Sequence, residues 1–237
     1  MASHNPKKRF TITELEEKSR ATGKQKSVFS PNGDVYNGQW MNDWKHGWGT
    51  EIKQQSGSKY QGEWKFGKPN GYGVYSEWIS ETKQYRKKYI GEWENGIKHG
   101  YGKFFYKTEA VYEGQWCQGV KEGLGIMYCV NGDNYEGYWK RNTIHGLGIF
   151  RLANGNQYHG SFEDGIPNGM GKFYNYETRK VFEGFWVKGS PVIGTIYDFE
   201  TDKAPTPSTN SIPEDILVDM GMVFLRTCAH LHGEFYY

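Results

Sequence analysis

Three histidines in similar positions are the first candidates for chemistry in this chain of 237 residues. His46, His99 and His145 each come immediately before a glycine, at the same point of a recurring pattern. A zinc site needs its ligands about 2 Å from a single ion. If the pattern is a row of β-hairpins, strands about 4.8 Å apart place its first and third copies roughly 20 Å from each other. The sequence therefore predicts polar residues that enter strands, and neither a metal nor another cofactor.

Carboxylates are the second group that could do chemistry. Glu63 and Glu92 occupy equivalent positions one repeat apart, as members of an acid/base pair could, but their regular placement favours exposed carboxylates. The chain has no G-x-S-x-G, Walker or H-E-x-x-H motif. The many G-x-G pairs are not followed by the Lys-Ser/Thr of a phosphate loop. We therefore predict that this protein is not an enzyme.

The recurring pattern is a β-hairpin, and its clearest copy is YIGEWENGIKHGYGKF at residues 89–104. Asn95-Gly96 lies between two alternating strands, and this dipeptide is the one that best tolerates the positive φ angles of a type I′ turn. A two-residue turn at this point fixes the predicted cross-strand pairs, which are Glu94 with Ile97, Gly91 with Gly100, and Tyr89 with Gly102.

Six full copies of this hairpin follow one another, and a seventh is incomplete. The leading aromatic residues are 24, 29, 23, 23, 23 and 24 residues apart, and a period of this size is typical of repeat arrays. The aromatic pairs of the six copies are Tyr36 and Trp40, Tyr60 and Trp64, Tyr89 and Trp93, Tyr112 and Trp116, Tyr135 and Trp139, and Tyr158 and Phe162. The seventh copy, residues 182–186, is followed by Ile193 and Thr195 where the two glycines are expected. The sequence therefore predicts an all-β fold, an elongated single-layer antiparallel sheet of about seven tandem hairpins.

The two faces of such a sheet carry different residues, because side chains alternate along a strand. The tyrosines, the tryptophans and the strand glycines share one face, where rings can lie over backbone without Cβ atoms and touch the next hairpin. The opposite face carries an apolar row, with one residue from each copy between its two glycines: Trp48, Tyr72, Tyr101, Leu124, Leu147 and Met170. Nothing in the array covers this row, so we predict that it binds partners or holds a terminal segment of the chain, and we favour partners.

The remaining segments flank or interrupt an array that spans residues 28–197. Residues 1–27 are predicted to be a polar, partly disordered arm, and residues 198–213 a linker rich in Pro, Ser and Thr. In residues 214–237 apolar side chains recur every three or four positions, which predicts a short amphipathic helix that packs on the array or on a second copy. The 29-residue step predicts a longer loop around residues 79–88, which contains Arg86, Lys87 and Lys88.

Composition limits the partners further. The 29 basic and 27 acidic side chains leave a net charge of +2, which favours neither nucleic acid nor strong attraction to a membrane. Three cysteines without a C-x-x-C spacing favour a reducing compartment. The N-terminus lacks the apolar run of a signal peptide, and no stretch has the roughly 20 apolar residues of a membrane helix. We therefore expect a soluble, cytoplasmic protein.

The repeats resemble the MORN (membrane occupation and recognition nexus) repeat, whose signature is close to YEGEW-x-NG-x-x-HGYG. The resemblance covers residues 35–197 and departs from the signature at Phe162, at Phe182 and at the missing glycines of the seventh copy. It implies a twisted antiparallel sheet that acts as a scaffold. Members of the family occur in axonemes and sperm, at membrane junctions and beside enzymes. The resemblance therefore implies a place in the cytoplasm, in the flagellum or in the acrosomal region of sperm.

Three functions remain open at this point, and we favour the first. A scaffold would hold an extended peptide, a helix or an enzyme along the apolar row. A membrane-surface module would bind acidic phospholipid through residues 7–9 and through Arg86, Lys87 and Lys88, although such sites usually have about four to eight clustered basic residues. A structural component would be a fixed part of an assembly such as an axoneme. We also expect a homodimer, formed through the incomplete seventh repeat and the C-terminal tail.

Overall fold

The structure, a computed structural model, describes residues 22–24 and 27–199. These residues form sixteen β-strands and no helix, which confirms the all-β prediction for the part of the chain described. The helix predicted in residues 214–237 lies outside them. The chain divides into two compact units, Met1–Arg86 and Lys87–Tyr237. The strands are β1 (Gly23–Lys24), β2 (Val28–Phe29), β3 (Val35–Met41), β4 (Trp44–Lys53), β5 (Ser58–Lys65), β6 (Lys68–Ile79), β7 (Gln84–Glu94), β8 (Ile97–Phe105), β9 (Val111–Cys117), β10 (Val120–Tyr128), β11 (Asn134–Lys140), β12 (Thr143–Arg151), β13 (Gln157–Glu163), β14 (Ile166–Asn175), β15 (Lys180–Val187) and β16 (Ser190–Asp198).

Each unit is an antiparallel meander. In the first unit β1 and β2 both pair with β3, and β3 to β6 then pair in chain order. In the second unit β7 to β16 also pair in chain order, each strand with the next. Short turns suffice for such pairing, so each hairpin lies directly beside the one before it. Strand β1 lies within the segment 1–27 that the sequence assigns to the arm.

The hairpin turns have the predicted conformation. Asn95 and Gly96 have φ angles of 51° and 87°, and a type I′ turn requires positive values at both positions. The other repeats also place two consecutive residues with positive φ at this point: Asn42 and Asp43, Phe66 and Gly67, Gln118 and Gly119, Arg141 and Asn142, Asp164 and Gly165, and Lys188 and Gly189. Of the seven turns only two, Asn95-Gly96 and Asp164-Gly165, have a dipeptide that favours this conformation. The pairing of the flanking strands therefore imposes the turn on less suitable sequences.

The predicted register of the hairpin is right at the turn and wrong beyond it. The observed pairs are Glu94 with Ile97, Gly91 with Gly102, and Tyr89 with Phe104. The register shifts between Gly91 and Trp93, where the single residue Glu92 faces three residues of β8. Gly100, at the centre of those three, has a φ of 61°. The second strand therefore contains a β-bulge, which a count of residues from the turn does not detect.

A side chain of the first strand holds the bulge in place. The Glu92 carboxylate accepts a hydrogen bond from the backbone N–H of Tyr101, with 3.1 Å between N and Oε1. The equivalent bonds join Gln39 Oε1 to Trp48 N (3.1 Å), Glu63 Oε1 to Tyr72 N (2.9 Å) and Gln115 Oε1 to Leu124 N (2.7 Å). Glu63 and Glu92 are half-buried. The interpretation of both as exposed carboxylates is wrong, because they satisfy a backbone donor that the bulge releases from the sheet.

Pairs of glycines form the centre of each hairpin. The Tyr89 ring lies over Gly102, so that a Cβ atom on Gly102 would be 2.5 Å from Tyr89 Cζ. The Tyr89 hydroxyl donates to the carbonyl of Glu92 at 2.9 Å, and the side chain is fully buried. The same contact with a second-strand glycine recurs at Tyr36, Tyr60, Tyr112, Tyr135 and Tyr158. The predicted packing of rings over bare backbone is confirmed.

Ring contacts join neighbouring repeats within each unit. The Tyr89 ring meets Trp93 of its own repeat at 5.1 Å between centroids and Trp116 of the next repeat at 5.5 Å, both edge to face. This geometry is the favoured one for aromatic pairs. Each repeat therefore completes the burial of the repeat before it, as in other repeat proteins.

The seventh repeat keeps its glycine pair, contrary to the sequence prediction. Gly184 pairs with Gly194, and Trp186 pairs with Pro191, so the bulge of this repeat is one residue shorter than that of β8. A fixed spacing places the glycines at Ile193 and Thr195, whereas the shorter bulge moves the second glycine to position 194. The repeat departs from the others in its exposure instead, since β16 is exposed along its whole length.

The prediction of a long loop around residues 79–88 is wrong. Strand β6 continues to Ile79, and β7 begins at Gln84. The extra residues of the 29-residue step therefore lengthen two strands. Arg86, Lys87 and Lys88 lie in β7 and not in a loop.

Replacement of Gly125 by alanine tests the contact between ring and glycine. The new Cβ would lie 2.5 Å from the Tyr112 hydroxyl oxygen, so we expect G125A to lower the free energy of unfolding by about 3 kcal/mol through overpacking. Urea unfolding followed by tryptophan fluorescence measures the change. The control is G155A, whose Cβ meets nothing within 4 Å and whose positive φ accounts for its only strain, at about 1 kcal/mol. Equal losses in the two variants would contradict the contact.

Candidate partner-binding surfaces

In the first unit the apolar row has two members, and they differ in exposure. Trp48 lies opposite Glu63 on the face away from Trp64, and it is 55% exposed. Tyr72 is half-buried. Trp44 and Phe66, at the hairpin turns of this unit, are also exposed. Of the two predicted contacts, Trp48 offers the larger free surface.

In the second unit the apolar row changes from buried to exposed along the chain. Leu124 is only 7% exposed, whereas Leu147 is 37% exposed and Met170 is 60% exposed. Two first-strand residues extend the row by cross-strand pairing, since Tyr138 lies opposite Leu124 and Phe185 lies opposite Met170. Both are exposed. Sequence reasoning missed them because it followed the second strands alone, although the alternation of the first strands contains the signal.

Tyr101 is a member of the apolar row that also packs within the sheet. It is half-buried, and its hydroxyl oxygen is shielded from solvent. Burial raises the pKa of Tyr101 far above its usual value, and the nearby Glu113 carboxylate raises it further. Tyr101 therefore stays protonated in the folded chain, and its removal would disturb the sheet itself.

Buried ion pairs line the same face of the second unit. Lys103 Nζ lies 3.0 Å from Glu113 Oε2, and Arg151 Nη1 lies 2.9 Å from Glu136 Oε2. His159, which is fully buried, shares a hydrogen bond of 2.9 Å with Gln157. These contacts are not predictable from the repeat pattern of the sequence. Because charges that leave water must be paired, they fix the register of the strands in this unit.

Lysines lie over the rings on the opposite face. Lys98 Nζ is 4.1 Å from the centroid of Trp116, and Lys121 Nζ is 3.9 Å from that of Trp139. Burial lowers the pKa of Lys98 to about 8, with a smaller contribution from the charge of Lys88. Burial also lowers the pKa of Lys121 to about 8. The rings offset part of the cost of burying these charges through cation–π attraction.

The basic cluster predicted to contact lipid is not a uniform exposed patch. Lys88 is buried, with its Nζ 5.4 Å from the centroid of the Phe104 ring. Arg86 is half-buried, and Lys87 is exposed. Lys88 therefore cannot reach a lipid headgroup, whereas contacts by Arg86 and Lys87 stay a prediction.

The repeat position that the three histidines occupy holds other polar residues in other repeats, and these have a structural role. Glu122, at this position, accepts a hydrogen bond from the backbone N–H of Arg141 at 2.8 Å, and Asn168 accepts one from Lys188 at 3.2 Å. In both cases the side chain caps the first turn residue of the next repeat. No group of three His, Cys, Asp or Glu side chains within the described residues could hold a metal ion. Residues 22–24 and 27–199 also contain no helix that could span a membrane.

These features define a class of protein, a β-hairpin repeat protein in which each repeat is completed by the next. The family model of the MORN repeat matches residues 36–54, 60–76, 89–109, 112–134, 135–157 and 158–175. The chain belongs to the MORN repeat family, a family of repeat-protein scaffolds, as its residues predicted.

Curated relatives support this assignment. The chain is 50% identical over 230 residues to MORN repeat-containing protein 3 of Xenopus laevis, and the match covers 97% of each chain. The chain is also similar to MORN repeat-containing protein 3 of Macaca fascicularis and of Homo sapiens, with 40% and 41% identity over 57 residues. These shorter matches cover 24% of each chain. The likeness to the amphibian protein extends beyond the repeats to nearly the whole length.

The pH dependence of stability tests the buried lysines. Between about pH 8 and 10 the unfolded chain still holds protons that folded Lys98 and Lys121 have released, so the free energy of unfolding rises with pH. We expect a rise of about 1 kcal/mol per lysine between pH 7 and 9.5, after a discount for their partial exposure. Urea midpoints across this range measure it.

The double variant K98M/K121M should lose most of this rise, whereas K107M, at an exposed lysine, should keep it. Above pH 10 the trend reverses, because burial raises the pKa of tyrosines such as Tyr36, to about 12, and unfolded tyrosines ionise first. A flat profile between pH 7 and 9.5 in the wild type would contradict the assignment.

Proposed function

We propose that the protein is a non-enzymatic scaffold that docks partner proteins along the apolar row of its second unit. The observation that supports this best is the exposed end of the row, where Met170 lies opposite Phe185 and Phe185 lies opposite Ile193. All three side chains are exposed. Adjacent exposed apolar side chains of this kind mark a site of association.

The support around this surface is rigid. Backbone pairing fixes β14, β15 and β16 against one another, and Trp186 anchors β15 through a hydrogen bond of 3.3 Å to the Gly171 carbonyl. A surface fixed before binding loses little conformational entropy when a partner docks. The row suits the apolar side of a helix or the alternate residues of an extended segment. Trp48 is a separate contact of the same kind in the first unit.

A pull-down with matched variants tests the scaffold. Wild type, M170E/F185E and V130E are used as baits in testis or ciliated-cell lysate, and retained proteins are identified by mass spectrometry. Val130 is exposed in a loop of the second unit, away from the row. We expect partners that bind V130E as tightly as the wild type. The same partners should bind M170E/F185E with about 100-fold lower affinity, since two buried contacts contribute about 1.5 kcal/mol each.

The same experiment separates the other functions. Partners that survive M170E/F185E would place the docking site elsewhere. Sedimentation with detergent-insoluble axonemes, without soluble partners, would favour a fixed structural component in sperm or cilia. Flotation with vesicles that contain acidic phospholipid at physiological salt would favour the membrane-surface function. Circular dichroism of each variant shows whether the sheet is intact.

We also propose a homodimer, formed by pairing of two β16 strands across a two-fold axis. Glycine lies opposite glycine in successive strand pairs, such as Gly160 with Gly171 and Gly171 with Gly184. Two-fold pairing of β16 would place Gly194 opposite its copy and so continue this line. It would also bring Val192 opposite Ile196, and both are exposed apolar residues. An unpaired apolar edge strand is a template for such pairing.

Light scattering after size exclusion tests the dimer. We expect the wild type to have twice the chain mass of 27.4 kDa and V192K/I196K to have the single mass, because charges on an edge strand oppose pairing. The double variant leaves Ile193 and the apolar row in place. A wild type of single mass would refute the dimer, and a dimeric double variant would move the interface to the tail in residues 214–237.

A further inference from the structure

One hydrogen bond recurs at the repeat junctions within each unit. The tryptophan of a repeat donates its indole N–H to the carbonyl of the second glycine in the preceding repeat. These bonds join Trp64 to Gly49, Trp116 to Gly102, Trp139 to Gly125 and Trp186 to Gly171, at 3.1 to 3.3 Å. The same rings stand edge to face on the tyrosine of the preceding repeat, at 5.0 to 5.5 Å between centroids. In these four cases the preceding repeat thus provides both the hydrogen-bond acceptor for the indole N–H and the aromatic ring on which the tryptophan packs.

Trp40 is the tryptophan of the first repeat, and among the residues that the structure describes it has neither. Its Nε1 atom is shielded from solvent and has no hydrogen-bond partner in that part of the chain. Strands β1 and β2 take the place of a preceding second strand, and Gly23 lies opposite Trp40 as Gly47 lies opposite Trp64. They provide the backbone of a preceding strand. Their one aromatic residue, Phe29, pairs with Val35 and so lies on the face away from Tyr36 and Trp40.

A cavity of about 430 Å³ lies at this place in the first unit. Tyr36, Trp40 and Val28 form its apolar wall, and Asp34, Lys45 and Glu51 lie at its polar side. Lys45 pairs with Glu51, so Asp34 gives the cavity a net negative charge. The volume is ample for one phenylalanine or tyrosine side chain. The cavity therefore matches an aromatic residue that follows basic ones.

The N-terminal segment supplies such a residue. Thr22 is held at the end of the sheet beside Trp40, where its hydroxyl accepts a hydrogen bond of 3.3 Å from the backbone N–H of Asn42. Residues 1–21, which lie outside the described part of the chain, contain a single aromatic side chain, Phe10, directly after Lys7-Lys8-Arg9. Phe10 lies twelve positions before Thr22, a span of up to roughly 40 Å. A tether of this length keeps Phe10 near the cavity at an effective concentration on the order of millimolar.

We propose that the N-terminal segment docks on the first repeat, with Phe10 in the cavity beside Trp40 and a backbone carbonyl of the segment accepting the Trp40 indole N–H. Lys7, Lys8 and Arg9 then face Asp34. The segment then gives Trp40 the acceptor and the aromatic ring that Trp64, Trp116, Trp139 and Trp186 receive from the repeat before them. This site lies on the ring face of the first unit, so the proposal does not depend on the apolar row or on the dimer.

Indole resonances in the ¹⁵N-labelled full chain test the docking. The chain has nine tryptophans, and the Trp40 indole signal is the one that disappears in W40F. We expect this signal to shift in F10A, because the ring and the acceptor leave together, and its solvent exchange to speed up at least tenfold. The matched control is I12A, an apolar truncation in the same segment, which should leave the signal in place. A Trp40 signal unchanged in F10A, or shifted equally in I12A, would overturn the proposal.

Photo-crosslinking locates the residue directly. A benzophenone amino acid replaces Phe10 in the full chain, and adducts are mapped by mass spectrometry after irradiation at low protein concentration. Adducts between position 10 and residues 28–51 of the same chain are the expected result. Adducts only to a second copy, or only elsewhere in the chain, would overturn the proposal.

Discussion

The structure depends on the close approach of a tyrosine ring to a glycine in the adjacent strand. At Tyr112 the ring and its hydroxyl occupy the space that a Cβ atom of Gly125 would need. The hydroxyl then reaches the carbonyl of Gln115 at 2.9 Å. Two tryptophans, one from the same repeat and one from the next, pack against the Tyr112 ring with their planes nearly perpendicular to it. Aromatic rings against backbone thus replace the aliphatic core that the composition of this chain cannot supply.

Periodicity predicted the strands, the turns and the ring face, because each depends on residues that recur at fixed spacing. The register beyond the turn could not be predicted in this way. It depends on a bulge that Gly100 permits and Glu92 stabilises, and nothing in the spacing shows which of two glycines lies opposite Gly91. The same limit explains the seventh repeat, where a bulge shorter by one residue places Gly194 in the glycine line.

The apolar row was predicted from alternation alone, and alternation assigns a face without giving exposure. Leu124 and Met170 have equivalent positions, yet Leu124 is buried and Met170 is exposed. Each lies opposite an exposed aromatic residue, Tyr138 in one case and Phe185 in the other, so the difference is not set by this neighbour or by any residue at a fixed spacing. The ion pairs of Lys103 with Glu113 and of Arg151 with Glu136 were missed for the same reason, because each pair forms across strands between positions that vary from repeat to repeat.

Completion of each repeat by the next has a consequence for the two ends of the array. At the first repeat the unmatched group is a donor, the indole N–H of Trp40. At the seventh repeat it is an acceptor, since no tryptophan follows Gly194 among the described residues to use its carbonyl, and Phe182 lacks the ring of a following repeat. The two ends therefore differ in hydrogen-bonding character. A segment that completes the first end must bring a carbonyl and an aromatic ring, whereas a strand that pairs with β16 meets an open backbone edge. Different requirements for an occupant at the two ends follow from the direction of the repeat itself.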